Sequence, residues 1–153
     1  MKFSENVLST IKNDLDRDFF QSDTSTYYHS LRVGTAMEQL HPLRYDLNVL
    51  ALLHDVINCT NFTVDDLKAK YKNLFHYELG DETSAAVFVS LDALSKRKDE
   101  TYGEYISRVK TNENASRVKI LDLADDIYTL TFYGKDNTDL LKNYVEAMKT
   151  LTE

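Results

Sequence analysis

Apolar residues recur every three or four positions along most of this chain, which is the spacing of one face of an α-helix. With four Gly and one Pro, the chain has few places for the tight turns that β-hairpins need. The pattern predicts an all-α protein. We expect one compact bundle of about seven or eight helices, with residues 1–153 forming a single domain.

The helix boundaries follow from the apolar stripes and from the capping residues between them. The first helix is predicted to begin with Ser4 as its N-cap and to end near Phe19, and the second to cover residues 27–40. The third, over residues 46–57, is apolar on nearly every side and is therefore expected at the centre of the bundle. A short helix is predicted to follow Thr63. Further helices are predicted to begin at Asp81 or Thr83, at Thr101 with Glu104 in a capping box, at Asn114 and at Asn137.

Composition and charge narrow the classes of partner. Hydrophobic residues make up 42% and charged residues 28% of the chain, as is usual for a globular protein. The net charge of −7 argues against an extended nucleic-acid surface, which needs clustered Lys and Arg. We find neither a membrane-spanning apolar stretch nor a signal peptide, so we expect a cytoplasmic protein without a membrane partner. A helical domain of 17.7 kDa is also able to form a homodimer through an exposed helix.

Cys59 is the only cysteine. A single cysteine excludes an intrachain disulfide and a cysteine-based zinc site within one chain. We expect its side chain to be buried rather than reactive. Any metal must therefore be held by His and carboxylate side chains.

Metal-binding residue types interrupt the apolar pattern of three predicted helices. They are His29 in the second helix, His54 and Asp55 in the third, and Asp122 in the seventh. Burial removes the hydration of such groups, which is costly unless they find a partner. Each alone has an ordinary alternative, a core histidine with a protein partner or a solvated aspartate. Together, two imidazoles and two carboxylates suit Mn²⁺, Fe or Zn²⁺.

The order and surroundings of these residues resemble the HD-domain metal-dependent phosphohydrolases, over roughly residues 27–130. Within that family, they most strongly resemble the hydrolase domain of the alarmone (guanosine tetraphosphate) enzymes and their small stand-alone relatives. The matching segments are His29–Val33, Leu50–Ile57, Tyr105–Val109 and Val118–Asp126. The resemblance implies an all-α fold and hydrolysis of a phosphoester or pyrophosphate bond in a nucleotide. It also implies a divalent ion, most often Mn²⁺ with Fe, Zn²⁺ or Mg²⁺ as alternatives, held by His29, His54, Asp55 and Asp122.

The chain departs from that family where the attacking water would be positioned. Alarmone hydrolases typically carry a Glu-Asp pair after the His-Asp dipeptide, whereas this chain has Asn58 and Cys59. Asn58 is able to orient water but not to accept its proton. Family members tend to have Asn where this chain has Asp126, so we consider Asp126 as a relocated general base. The alternatives are Asp125, Glu78 and Glu82.

Helical spacing suggests which cations face the same site. Arg32 lies three residues after His29, and Lys119 lies three residues before Asp122, so each pair shares a helix face. We predict that Arg32 and Lys119 contact substrate phosphates. The alternative is that both are surface cations or pair with neighbouring acids. Tyr28 is the candidate for stacking on a nucleobase.

Three functions stay open at this point. The first is a phosphohydrolase acting on a small nucleotide. The second is a binding module that keeps the HD scaffold, with its metal or nucleotide, but has lost turnover, as Asn58 and Cys59 suggest. The third is a helical interaction protein without a metal.

Overall fold

The computed structural model describes residues 3–134 and 137–153, with side chains from Asn6 onward. The prediction that Ser4 caps the first helix concerns a side chain outside that range. The helices in these two ranges are α1 (Phe3–Asp14), α2 (Thr24–Leu40), α3 (Tyr45–Leu53), α4 (Val56–Cys59), α5 (Val64–Leu79), α6 (Asp81–Leu94), α7 (Tyr102–Lys110), α8 (Glu113–Tyr133) and α9 (Thr138–Thr152). A π-helical segment, Leu15–Phe19, continues α1. The prediction of an all-α bundle is confirmed, with eight helices of nine or more residues in the described chain.

Capping boxes fix the starts of α5 and α7. The hydroxyl of Thr101 accepts a hydrogen bond from the Glu104 amide, and the Glu104 carboxylate accepts one from the Thr101 amide. This is the capping box that the sequence predicts. Thr63 begins α5 in the same way. The prediction of a short helix after Thr63 is wrong, because the apolar stripe continues to Phe75 and α5 extends to Leu79.

The third predicted helix is in fact two helices. A single helix over residues 46–57 is the wrong prediction, because α3 ends at Leu53 and α4 begins at Val56. His54 and Asp55 form the turn between them. On a continuous α-helix, two adjacent side chains point about 100° apart. The helix is interrupted at His54 and Asp55, the adjacent residues that are both predicted to bind one metal ion.

The core surrounds α3, as predicted. Every residue from Leu47 to Leu53 is buried, and α3 packs against α1, α2, α6 and α8. Burying one such leucine contributes about 1.5–3 kcal/mol relative to leaving it exposed. Among the described residues, we find no helix with the length and apolar character needed to span a membrane. This packing places α2, the α3–α4 turn and α8 around one point.

Candidate metal centre

The structure brings together the four residues predicted as metal ligands. His29 comes from α2, His54 and Asp55 from the α3–α4 turn, and Asp122 from α8. One nitrogen or oxygen atom of each lies within 4.8 Å of the others. His29, His54 and Asp122 are buried, and the Asp55 side chain is 21% exposed. We call this group the His/Asp cluster.

The potential ligand atoms of the cluster are closely spaced. His29 Nε2 lies 3.2 Å from His54 Nε2 and 2.8 Å from Asp122 Oδ1. Asp55 Oδ2 lies 3.4 Å from His29 Nε2 and 3.3 Å from His54 Nε2. His54 Nε2 and Asp122 Oδ1 are 3.4 Å apart. Two nitrogens and two carboxylate oxygens thus face a common centre.

The outer nitrogen of each imidazole has a separate partner. His54 Nδ1 lies 2.6 Å from the Ala51 carbonyl oxygen, which can only accept a hydrogen bond. His29 Nδ1 lies 2.7 Å from Asp125 Oδ2. A neutral imidazole that donates from Nδ1 presents a lone pair at Nε2. In their neutral forms, the two rings therefore direct acceptor atoms at the cluster, and the carboxylates supply only acceptors as well. A cation at the centre, either a metal ion or the protons of the imidazoles, is needed to satisfy all four.

The electrostatics of the cluster favour positive charge. Burial opposes a charge on His54, but Asp55 and Asp122 outweigh it and raise the pKa of His54 well above its ordinary value. Burial also opposes a charge on His29, whose pKa is nevertheless raised, chiefly by Asp122. Imidazole and carboxylate are ligands that first-row divalent metals accept in combination. The donor set therefore fits a divalent cation.

The two predicted phosphate contacts, Arg32 and Lys119, are paired with carboxylates. Lys119 Nζ donates to Asp122 Oδ2 at 2.6 Å, and the Lys119 side chain is only 13% exposed. Burial would lower the pKa of Lys119, but Asp122 outweighs it and raises that pKa. Arg32 donates from Nε and Nη2 to the two oxygens of Asp125, at 2.8 and 2.9 Å. For both residues, the structure shows the alternative in which the cation pairs with a neighbouring acid.

Asn58 and Tyr28, two further residues predicted for the site, are not members of the His/Asp cluster. Asn58 donates from Nδ2 to the Leu94 carbonyl at 2.9 Å, and its Oδ1 accepts from the Lys96 amide at 3.1 Å. Its amide therefore caps the end of α6, and its predicted role in orienting water finds no support in these contacts. Tyr28 is 56% exposed and packs on Tyr27 with 5.2 Å between ring centroids. Its stacking on a base stays a prediction.

A cleft of about 190 Å³ opens beside the cluster. Its lining residues are Ser25, Thr26, His29, Arg32, Asp55, Asp125, Asp126 and Thr129. Asp126 Oδ1 lies 3.7 Å from His29 Nδ1, and burial together with Asp122 raises the pKa of Asp126 to about 6. A cavity of about 700 Å³ lies elsewhere, between α5 and α6, and none of the cluster residues lines it.

Sequence reasoning missed several residues around the cluster. Ser25 lies one helical turn before His29, and Thr129 lies one turn after Asp126, so helical spacing could have indicated both. The contact between Asp125 and His29 was also missed.

Cys59, expected to be buried, is exposed. Its partial enclosure and the nearby Asp55 raise the pKa of the thiol to about 12, so little thiolate forms at neutral pH.

Comparison with models of known protein families gives no match to this chain, and comparison with curated proteins gives none either. The fold and the site geometry show an all-α protein with a largely buried group of two His and two Asp side chains that could hold a metal ion.

Proposed function

We propose that this chain is a metal-dependent phosphohydrolase of the HD type that acts on a nucleotide. The observation that carries the proposal is the convergence of His29, His54, Asp55 and Asp122 from three helices, with both Nε2 atoms directed inward. Their order along the chain is the one on which the resemblance to HD phosphohydrolases rests. A cleft beside the cluster gives a substrate access to it.

The four cluster residues would hold the ion, with Mn²⁺ as the leading candidate and Fe, Zn²⁺ or Mg²⁺ as alternatives. A divalent ion supplies Lewis acidity toward a phosphoryl oxygen and makes a water molecule more acidic, which allows phosphate hydrolysis near neutral pH. Lys119 holds Asp122 Oδ2 and leaves Oδ1 toward the histidines. This arrangement favours Asp122 as a ligand through one oxygen.

The cleft suits a phosphoryl group better than a whole nucleotide. Its volume of about 190 Å³ is below the roughly 300–1,000 Å³ of pockets that enclose a whole ligand. We infer that the nucleoside lies outside it, with the exposed ring of Tyr28 as the candidate for stacking. Arg32 uses Nε and Nη2 for Asp125, which leaves Nη1 for a phosphate oxygen.

Asp126 is the candidate general base. It lines the cleft and accepts no hydrogen bond from the residues that the structure describes. By contrast, Asp122 and Asp125 are each held by a cation. A base must be free to accept a proton from water in the cleft, and among these three carboxylates Asp126 meets that requirement.

The test is hydrolysis of a nucleotide panel, including guanosine tetraphosphate, with added Mn²⁺. We expect the wild type to release phosphate, pyrophosphate or nucleoside, and Asp55→Ala to release none. His76→Ala is the matched control, because His76 is exposed and pairs with Asp81 outside the cluster. Absence of turnover with every substrate, or equal turnover in Asp55→Ala, would count against the hydrolase.

A second candidate is a catalytically weakened or inactive HD-fold module that binds a metal or nucleotide. The contacts of Asn58 with the end of α6 favour it, because they engage both polar atoms of the amide that stands where related hydrolases have a water-positioning acid. This candidate predicts Mn²⁺ and nucleotide binding without product release. A protein that binds neither would instead be a helical interaction protein.

A further inference from the structure

Both nitrogens of the His29 ring face carboxylates of one helix. Nε2 lies 2.8 Å from Asp122 Oδ1, and Nδ1 lies 2.7 Å from Asp125 Oδ2. Asp122 and Asp125 are three residues apart on α8 and therefore lie on the same face. The imidazole from α2 thus lies between two carboxylates of α8, and in the tautomer that leaves a lone pair on Nε2 only Nδ1 donates a hydrogen bond, to Asp125.

Asp125 is itself held in place. Arg32 donates from Nε to Oδ1 and from Nη2 to Oδ2, a bidentate pair that fixes the plane of the carboxylate. Oδ2 accepts from both Arg32 and His29. Asp126, the other carboxylate near His29 Nδ1, is 3.7 Å away, which is too far for a hydrogen bond.

The two histidines of the cluster differ in what orients them. His54 donates from Nδ1 to the Ala51 carbonyl, a backbone contact that no substitution of a neighbouring side chain removes. For His29, the same contact is made by a side chain 96 residues away along the chain. The orientation of His29 therefore depends on Asp125 in a way that can be tested by mutation.

We propose that Asp125 is a positioning residue for the metal centre, and that Arg32 acts through it. Asp125 accepts the Nδ1 proton of His29, which sets the tautomer with the Nε2 lone pair toward the cluster, and Arg32 fixes the direction of that carboxylate. A carboxylate behind a ligating histidine orients the ring and makes it a stronger ligand. This inference rests on the proposed metal site and adds a role outside the four ligands.

The competing explanation is that Asp125 and Arg32 only tie α2 to α8. Arg32 is 50% exposed, and an ion pair at such a position contributes little to stability. Loss of a purely structural pair would lower the unfolding temperature by a small amount and would change neither the metal affinity nor the histidine tautomer. Those two measurements therefore separate the explanations.

The experiment is titration of the wild type, Asp125→Ala, Asp125→Asn and Arg32→Gln with Mn²⁺ by calorimetry. We expect Asp125→Ala to raise the dissociation constant about 10–100-fold, with smaller increases for the other two variants. Glu113→Gln is the matched control and should bind as the wild type does, because it removes a carboxylate of α8 that pairs with Arg117 away from the cluster. Long-range ¹H–¹⁵N spectra with Zn²⁺ should show the Nδ1–H tautomer of His29 in the wild type and its loss in Asp125→Ala.

Each outcome bears on a separate claim. Equal affinity and an unchanged tautomer in the Asp125 variants would overturn the positioning role and leave the metal site intact. No metal binding by the wild type would overturn both. Weakened binding in the variants, with no nucleotide hydrolysed by the wild type, would support the positioning role and reject the hydrolase. If Asp125→Ala does not fold, the nearly isosteric Asp125→Asn carries the same test.

Discussion

Asp126 differs from its neighbour Asp125 because none of the described residues donates a hydrogen bond to it, whereas Asp125 accepts from Arg32 and His29. If it is the general base, we expect Asp126→Asn to lower the kcat of nucleotide hydrolysis by about 100-fold. Mn²⁺ affinity should stay the same, since the four cluster residues are unchanged. Steady-state kinetics and calorimetry on the same samples measure both quantities. Unchanged turnover would place the base elsewhere.

Lys119 offers a test between a substrate contact and a structural ion pair. Breaking a buried pair costs about 3–5 kcal/mol because it leaves one charge without a partner. Asp122 keeps its histidine contacts, so we expect Lys119→Met to lower the free energy of unfolding by about 3 kcal/mol, at the lower end of that range. Urea denaturation in the presence of a chelator measures the change.

The control for Lys119→Met is Lys149→Met. Lys149 makes an ion pair with Glu146 at the same i,i+3 spacing, but on the exposed face of α9. Its loss should change the stability by less than about 1 kcal/mol. If Lys119→Met keeps wild-type stability but raises KM, Lys119 serves the substrate instead.

At the level of single residues, the members of the His/Asp cluster could be predicted from the sequence, but the ion pairs of Arg32 and Lys119 could be offered only as an alternative. His29, His54, Asp55 and Asp122 stand out because each interrupts an apolar helix. Whether Arg32 faces substrate or an acid depends on Asp125, which is 93 residues away. That partner becomes visible only when α2 and α8 are packed together.

At the level of elements, the approach of α2 to α3 depends on Gly34. A Cβ atom at Gly34 would lie 2.5 Å from Leu52 Cδ2, and Leu52 is buried in the core. Overpacking costs about 1–3 kcal/mol, against a gain of about 1 kcal/mol from the better helix propensity of Ala. We expect Gly34→Ala to be net destabilising by about 1 kcal/mol in urea denaturation.

The matched control is Gly103→Ala, in α7, where an added Cβ meets no atom within 4 Å. It should be neutral or stabilising, by up to about 1 kcal/mol. Because Gly34 lies on the helix that carries His29, Gly34→Ala should also weaken Mn²⁺ binding. Equal stability of the two variants would show that Leu52 moves freely and that the close approach has no cost.

An ion pair between Arg108 and Glu100 fastens the segment between α6 and α7 to α7. Arg108 donates to both oxygens of Glu100 and to the carbonyls of Ala93 and Ser95. The hydrogen bonds from Arg108 hold the pKa of Glu100 at about 2, below its ordinary value of 4.5. Because the folded-state pKa is the lower one, the pair stabilises the fold fully above pH 4.5, and this contribution is lost as the pH falls toward 2.

Glu100→Gln should therefore lower the stability near neutral pH and flatten its dependence on pH in acid. Glu82→Gln, which removes an exposed carboxylate, is the control and should follow the wild-type curve. Chemical denaturation at a series of pH values between 5 and 2.5 measures both variants. A wild-type pH profile in Glu100→Gln would contradict the assignment.

The break between α3 and α4 shows what periodicity alone misses at this level. The apolar residues on either side of His54 and Asp55 are buried, so the sequence pattern passes through the break without a signal. Neither Gly nor Pro marks it. The one signal in the sequence is the adjacent pair itself, since neighbouring side chains on a straight helix point about 100° apart, although both are predicted to bind one ion.

At the scale of the whole molecule, folding and the candidate site depend on each other. The cluster residues are separated by up to 93 positions in the chain, so their ligand atoms meet only after α2, α3 and α8 have packed. An ion that binds this arrangement and not the unfolded chain must stabilise the fold. The chain has a net charge of −7, so Mn²⁺ also stabilises it through diffuse attraction to its acidic surface, apart from any binding at the cluster. Stabilisation by binding at the His/Asp cluster therefore has to be distinguished from stabilisation by this diffuse attraction.

We expect Mn²⁺ at 100 times its dissociation constant to stabilise the fold by about 2.7 kcal/mol, which corresponds to a rise in Tm of about 5–10 °C for a chain of this size. A chelator should reverse it. Asp55→Asn should abolish the rise, because it removes a ligand whose side chain is partly exposed and whose amide replacement has the same shape. His76→Ala should keep it, since His76 contacts only groups outside the cluster. A rise of equal size in Asp55→Asn would mean that Mn²⁺ acts elsewhere on this acidic surface. The side chains of the His/Asp cluster would then be linked only by their hydrogen bonds and ion pairs, without a metal.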